Sequence, residues 1–161
     1  MPRRYGALMA DIYEVSVAMD LRDDLSEAEI AELQWHLGLG PEPERLSIVP
    51  EFPIVVENGL GELVTKDAPA PLLGCHGEAW KVGGALTSVL VRREQGWALT
   101  ARQEIHPDDY DRLGELLNWL ATKASDQHRR FDGSVHIGWI RFYEADRPDP
   151  LRVRDGRTVW P

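Results

Sequence analysis

The amino-acid sequence predicts an α+β fold in which two helices pack on an antiparallel sheet. Polar and apolar residues alternate over 12–19 and 97–105, which is typical of half-buried strands. Apolar residues recur at intervals of three and four over 27–37 and 107–124, which is typical of amphipathic helices. The chain has 161 residues, of which 43% are hydrophobic and 28% charged. It is therefore long enough to bury a core, and its composition excludes collagen, coiled coil and wholesale disorder.

The first strand and the first helix carry the clearest local signals. The alternation over 12–19 predicts a strand with one polar face. Ser26 and Glu29 then have the spacing of a capping box, in which each side chain accepts a hydrogen bond from the backbone N–H of the other residue. The apolar stripe behind them predicts a helix over 27–37, and Gly38 marks its end.

The segment 40–84 differs from the rest of the chain in composition. It contains six of the 11 prolines, and proline disfavours long helices and central strands. It also has too many apolar residues for a solvated linker, so we interpret it as an insertion within the domain. The extended pieces 54–57 and 62–65 flank Asn58-Gly59, which predicts a hairpin, and 46–49 is a third extended piece.

The second half of the chain predicts strands on either side of a second helix. Pro107 suits the first position of that helix, because its fixed backbone angle is helical and its missing N–H is not needed there. The predicted elements are strands over 85–92, 97–105 and 135–143, a helix over 107–124, and a small terminal hairpin that pairs 152–154 with 158–160.

Without the insertion, the elements run in the order strand, helix, strand, strand, helix, strand. This is the order of the ferredoxin-like βαββαβ fold. Its antiparallel sheet places the first strand between the third and the fourth and both helices on one face. We therefore predict a ferredoxin-like core with a Pro/Gly-rich insertion at 40–84 and a short C-terminal hairpin. The alternative is another α+β sheet to which 46–65 adds strands. We expect a single domain over 1–161, with 1–10 as a loose tail.

Charge and cysteine content limit the classes of function. The net charge is −9, with −10 in residues 1–80 and +1 in 81–161. An acidic chain repels phosphate backbones, so we expect no nucleic-acid partner, and no apolar run is long enough to predict a membrane contact. Cys75 is the only cysteine, which with the lack of a signal sequence predicts a cytoplasmic location. The five histidines lack zinc-binding spacing, so we expect no metal and no cofactor.

Four polar residues on the predicted strands form the candidate catalytic cluster. In the predicted strand order, Glu14 on the first strand lies beside Arg102 and Glu104 on the third and His136 on the fourth. A histidine next to a carboxylate can act as a general base, because the carboxylate stabilises its charged form. The alternative, which we favour, is a row of cross-strand ion pairs on a wet sheet face.

Tryptophan is unusually frequent in this chain, which contains six. Trp35 and Trp119 lie off the predicted helical stripes, and Trp160 is the penultimate residue. Because tryptophan is enriched at interface hot spots, these three are candidate interface residues. Together with a sheet face that two helices leave uncovered, they favour a homodimer.

The lack of a complete catalytic motif favours a non-catalytic binding or regulatory protein that acts through protein–protein contacts. Two alternatives stay open. One is a cofactor-independent enzyme with a small-molecule pocket between the sheet and the 40–84 insertion. The other is an acidic immunity-type antagonist, whose acidic N-terminal half would mask a basic protein partner.

Overall fold

The computed structural model describes residues 11–161, so the predicted tail at 1–10 lies outside the described residues. The strands are β1 (Tyr13–Leu21), β2 (Pro53–Glu57), β3 (Leu63–Asp67), β4 (Gly77–Glu78), β5 (Ala85–Arg93), β6 (Gly96–Ile105), β7 (Val135–Phe142), β8 (Asp149–Arg154) and β9 (Arg157–Val159), and the α-helices are α1 (Glu27–His36) and α2 (Tyr110–Lys123). Within residues 11–161, seven strands form one antiparallel sheet in the order β4-β5-β6-β1-β7-β8-β9, and β2 and β3 form a separate two-stranded sheet.

The predicted ferredoxin-like βαββαβ core is wrong as the fold of this chain. The described residues are mostly sheet, because β4 adds a strand beside β5, and β8 and β9 extend the sheet beyond β7. The prediction treated the insertion and the terminal hairpin as peripheral. Their backbone groups instead pair with the edges of the sheet, which would otherwise expose unpaired N–H and C=O groups.

Several individual predictions agree with the structure. The central position of β1, between β6 and β7, is confirmed. The β2–β3 hairpin and the terminal β8–β9 hairpin also form at the predicted positions. The alternative in which 46–65 adds strands to the main sheet is wrong, because β2 and β3 pair with each other in a separate sheet. Residues 46–49 form no strand.

Both helices pack on the same face of the sheet. The predicted capping box is present: Ser26 Oγ accepts the Glu29 N–H at 3.1 Å, and Glu29 Oε1 accepts the Ser26 N–H at 2.9 Å. Glu29 Oε2 also accepts a hydrogen bond from Trp119 Nε1 at 3.1 Å, which joins α1 to α2. The buried side chains of this face include Val15, Val17, Met19, Leu33, Leu37, Leu113, Leu116, Leu117 and Leu120.

A glycine in β7 determines which side chains of this strand lie on the sheet face away from the helices. Gly138 has φ +156°, and a Cβ there would lie 1.9 Å from the Ser16 carbonyl oxygen. Only glycine therefore lets β7 approach β1 this closely. The pairing of β7 with β8 shifts between His136 and Gly138, which is a bulge. The bulge places both His136 and Trp139 on the side of the sheet away from the helices, although they are three positions apart and would alternate in a regular strand.

The 40–84 insertion contributes to the same core. Ile48, Val49, Phe52 and Leu73 are buried in the cluster that joins the sheet to the helices. Between Phe52 and Leu73 along the chain, β2 and β3 form a hairpin that extends away from the core. No helix within residues 11–161 is long and apolar enough to cross a membrane.

Candidate functional site

The side of the seven-stranded sheet away from both helices, which we call the open face, holds most of the predicted site. Glu14 lies there between two arginines of the neighbouring strands. Its carboxylate forms an ion pair with Arg102 on β6 and another with Arg141 on β7, where Nε and Oε1 are 3.5 Å apart. The structure thus brings Glu14 and Arg102 together, as the sequence predicts, and adds Arg141.

Arg102 also binds backbone carbonyl groups next to the sheet. Its guanidinium also donates to the carbonyl oxygens of Ala85 at 2.7 Å and Gly83 at 2.8 Å. Gly83 lies at the end of the insertion, and Ala85 is the first residue of β5. Arg102 therefore ties the insertion to the sheet and has few remaining N–H groups for a ligand.

Glu104 on β6 also binds the insertion. Its carboxylate accepts the backbone N–H groups of Trp80 at 2.6 Å, Lys81 at 2.6 Å and Val82 at 3.1 Å. Partial burial pushes the pKa of the Glu104 carboxyl upward, but these three donors and the nearby Arg102 outweigh that effect and hold the pKa below its ordinary value. A carboxylate with so many donors is a poor general base, because protonation would break those hydrogen bonds.

His136 lies apart from these carboxylates. The residue of β7 opposite Glu14 is Arg141, and His136 is five positions away along the strand, roughly 16 Å at about 3.3 Å per residue. Its cross-strand neighbour is Arg152 on β8. Burial lowers the pKa of His136, and the positive charges of Arg130 and Arg152 lower it further against the opposing effect of Asp132. The structure therefore does not assemble a His136–Glu14 pair.

A cleft of about 500 Å³ lies between the end of β6, the start of α2 and the insertion. It occupies the region where the sequence places a small-molecule pocket. Its lining includes Cys75, Glu104, Asp108 and Asp109. The peptide of Cys75 is held by Gln103, whose amide accepts the Cys75 N–H at 3.0 Å and donates to the Cys75 carbonyl at 2.8 Å. His136 does not line this cleft. Among the described residues, no group of three His, Cys, Asp or Glu side chains is arranged to hold a metal ion.

The three candidate interface tryptophans have partners within the chain. Trp35 is buried and packs edge-to-face on Phe52 of the insertion, with ring centroids 6.3 Å apart. Trp119 donates to Glu29, and Trp160 stacks on Tyr110 at 4.0 Å. Two other tryptophans, Trp80 and Trp139, are the exposed ones.

A buried Glu–His pair on α1 is the first feature that the sequence analysis missed. Glu32 and His36 are both fully buried, with His36 Nε2 3.2 Å from Glu32 Oε2. The Glu32 carboxylate also accepts three consecutive backbone N–H groups, from Ser47 at 2.5 Å, Ile48 at 2.9 Å and Val49 at 2.9 Å. Burial lowers the pKa of His36, although the hydrogen bond and charge of Glu32 oppose this. The spacing of four residues on one helix was the available signal.

The hairpin of residues 53–67, which we call the arm, is the second missed feature. Its apolar side chains face water, and Val55 and Leu63 are 69% and 77% exposed. The turn is well built, because Asn58 Oδ1 accepts the N–H groups of Leu60 at 2.8 Å and Glu62 at 3.0 Å. Within residues 11–161, neither β2 nor β3 pairs with any other strand. The sequence predicted the hairpin, but it did not predict that the hairpin would leave the core.

The chain matches no protein-family model, and no curated protein or solved structure matches it significantly.

Proposed function

We propose that this chain is a non-catalytic binding protein that acts through protein–protein contacts, with the arm as its contact element. The observation that carries the proposal is the exposure of the aliphatic side chains of the arm. Ile54, Val55, Leu60, Leu63 and Val64 are all exposed. Contiguous exposed apolar side chains on an ordered element are typical of an interaction site.

Hydrogen bonds join the two ends of the arm where it meets the domain. Asp67 Oδ1 accepts the Phe52 N–H at 2.6 Å, and the Ala68 N–H donates to the Phe52 carbonyl at 2.8 Å. Phe52 itself is buried in the core, so the base of the arm is fixed to the domain. A two-stranded sheet with no further packing is marginally stable in water, so a partner that covers the arm would stabilise it.

The proposed occupant is a second copy of this chain. Residues 51–67 carry four carboxylates, those of Glu51, Glu57, Glu62 and Asp67, against one lysine. The open face has the opposite balance. By strand alternation it presents six arginines (Arg93, Arg102, Arg141, Arg152, Arg154 and Arg157) against four carboxylates (Glu14, Asp20, Glu78 and Glu104). An acidic arm and a basic sheet within one chain are complementary when two copies meet.

The two other functions left open by the sequence receive less support. The cleft beside the insertion has the size of a ligand site. Of its titratable side chains, however, Glu104 is saturated by backbone donors, and Asp109 Oδ2 accepts the His106 N–H at 3.0 Å. An antagonist of a basic protein would use the same acidic arm, so this alternative becomes an outcome of the oligomerisation test below.

Sedimentation equilibrium of the purified chain tests the proposal. We expect a monomer–dimer equilibrium whose midpoint lies in the micromolar range, and we expect Val55→Thr with Leu63→Thr to weaken it at least tenfold, about 1.4 kcal/mol. Threonine is branched at Cβ, a shape that strands favour, so the arm should remain folded. A matched control is Phe131→Ser, which removes an even more exposed apolar side chain from a turn outside the arm.

Dimerisation that Phe131→Ser leaves unchanged and the arm variant weakens would support the proposal. A wild-type chain that stays monomeric at high micromolar concentration would overturn the second copy as the occupant. Equal weakening by both variants would show unspecific hydrophobic association and would equally contradict a role of the arm.

A further inference from the structure

The outer edge of β5 is the other unprotected element of the molecule. The short strand β4 covers only its first two residues, through the pairs Gly77–Leu86 and Glu78–Ala85. Within residues 11–161, no strand pairs with 87–93 on that side. Since backbone N–H and C=O groups alternate in direction along a strand, about half of those in 87–93 point outward without a strand partner.

This edge lacks most of the features that usually prevent strand addition. Natural edge strands are short, bulged, covered, or carry proline or charged side chains. The one such feature of 87–93 is its two arginines, Arg92 and Arg93, at the C-terminal end. Residues 87–93 form a regular seven-residue ladder with β6 and contain no proline. Val89 and Val91 are 46% and 48% exposed on the open face beside the edge. The edge therefore offers both backbone hydrogen bonds and apolar side chains to an incoming strand.

The arm offers a strand of matching character. Its strand β3 lacks proline, whereas β2 begins with Pro53, which has no N–H. The side chains of β3 alternate, and Leu63 and Thr65 share one face of the hairpin. That face could continue the apolar surface formed by Val89 and Val91.

Charge selects the direction of pairing. Residues 85–93 contain Arg92 and Arg93 at their C-terminal end and no acid. In an antiparallel pairing, Glu62 at the turn end of β3 lies near those arginines. A parallel pairing brings Lys66 there, together with Asp67, whose Oδ1 already accepts the Phe52 N–H at 2.6 Å. Arg92 is already bound to Asp23 and stacks on Trp97, so Arg93 is the more available partner.

We propose that β3 of the arm adds antiparallel to residues 87–93 of β5 in a second copy of the chain, reciprocally about a two-fold axis. This inference rests on the proposed function, since it names the surface that receives the arm. A two-fold axis repeats each contact, so each one needs to bury about 600–1,000 Å² to reach the size of a stable interface. Strand addition supplies affinity through main-chain hydrogen bonds, and the exposed valines and charges supply specificity.

A charge-swap experiment tests this pairing by sedimentation equilibrium at low salt. Arg93→Glu and Glu62→Arg should each weaken the dimer by about tenfold, because each places like charges across the contact. The double variant restores opposite charges, and we expect its dissociation constant to return to within about threefold of wild type. Arg147→Glu is the matched control, because this exposed arginine lies in the loop between β7 and β8, outside the arm, the β5 edge and the arginines of the open face. Circular dichroism of each variant verifies the fold.

The possible outcomes separate this inference from the proposed function. If Val55→Thr with Leu63→Thr weakens the dimer but neither charge reversal does, the arm is the contact and the β5 edge is not its acceptor. If the double variant weakens the dimer by as much as the two single changes combined, the proposed pairing is also overturned. If Arg93→Glu weakens the dimer and the arm variant does not, two β5 edges pair directly, and both proposals are wrong.

Discussion

The flanks and the middle of the 40–84 insertion differ in what binds them. Its flanks, 47–52 and 73–84, are bound by side chains that project from the helices and the main sheet. Its middle, the arm, is bound to itself through its own ladder and turn. The flanks therefore form a fixed base, and the arm extends from that base. This difference indicates that the exposure of the arm is specific to the arm, since the same segment is tightly bound on either side of it.

The two carboxylates that hold the flanks also differ from each other. Glu32 and Glu104 each accept three consecutive backbone N–H groups. Glu32 is fully buried, whereas Glu104 is half-buried on the open face. Because water can replace a lost acceptor only where it has access, equal numbers of hydrogen bonds should contribute unequally to stability.

The largest expected effect is that of removing the buried carboxylate. Glu32→Ala leaves three backbone N–H groups and His36 without their acceptor, two of those N–H groups fully buried. We expect the free energy of unfolding to fall by about 3–5 kcal/mol. Urea denaturation measures this, with Glu27→Gln on the exposed side of the same helix as control. A loss below 1 kcal/mol would contradict the role of Glu32 as the main anchor.

Removing the half-buried carboxylate should cost less. In Glu104→Ala the N–H groups of residues 80–82 can bind water, so we expect a loss of about 1–2 kcal/mol in the same assay. The contrast between the two carboxylates requires that Glu32→Ala lose more stability than Glu104→Ala. A loss for Glu104→Ala that equals the loss for Glu32→Ala would show that burial does not set the difference between the anchors.

Acid should weaken the buried anchor before the exposed one. The pKa of His36 is lowered by burial, so below its ordinary value of 6.5 the unfolded chain binds more protons than the folded chain. Stability should therefore fall as pH drops from 7.5 to 5.5, by at most about 1.4 kcal/mol per pH unit for this group. Glu104, whose pKa is below its ordinary value of 4.5, contributes no change in this range.

Urea midpoints at the two pH values measure this dependence. His136 has a pKa lowered in the same direction, so His36→Gln and His136→Gln are compared, each at both pH values. We expect His36→Gln to remove the larger share of the loss. Wild-type stability that is unchanged or higher at pH 5.5 would contradict the neutral, buried state of His36.

The smallest expected effect on stability is that of the arm variant. Val55→Thr with Leu63→Thr changes exposed side chains, so at dilute concentration we expect the free energy of unfolding to change by no more than about 0.5 kcal/mol. Urea denaturation below the dimer range measures this. A loss above 2 kcal/mol would mean that these side chains support the monomer fold and would remove the contrast between arm and flanks.

The sequence predicted where individual helices and strands lie along the chain better than it predicted how the strands assemble into the sheet. Ser26 and Glu29 located a helix start, and alternation located β1 and β6, because these signals depend only on neighbouring residues. The positions of β4, β8 and β9 depend on which backbone edges remain unpaired in the whole sheet, and no local pattern records this.

In the candidate site, too, the contacts that depend on local pattern and strand order were predicted, and those that depend on register or loop position were not. The pairing of Glu14 with Arg102 follows from strand order, and the structure contains it. The distance between His136 and Glu14 depends on strand register, and Gly138 introduces a bulge into that strand. The roles of Glu32 and Glu104 depend on which loop lies over each carboxylate, which the sequence does not specify.

Amide hydrogen exchange at two protein concentrations tests most directly whether the arm, in contrast to its flanks, is the contact element. If it is, amides of β3 and of residues 87–93 should exchange more slowly at high micromolar concentration than at low concentration. Amides of residues 47–49 and 80–82, which are held within one chain, should exchange at the same rate at both. Arm amides that exchange equally fast at both concentrations would contradict the account.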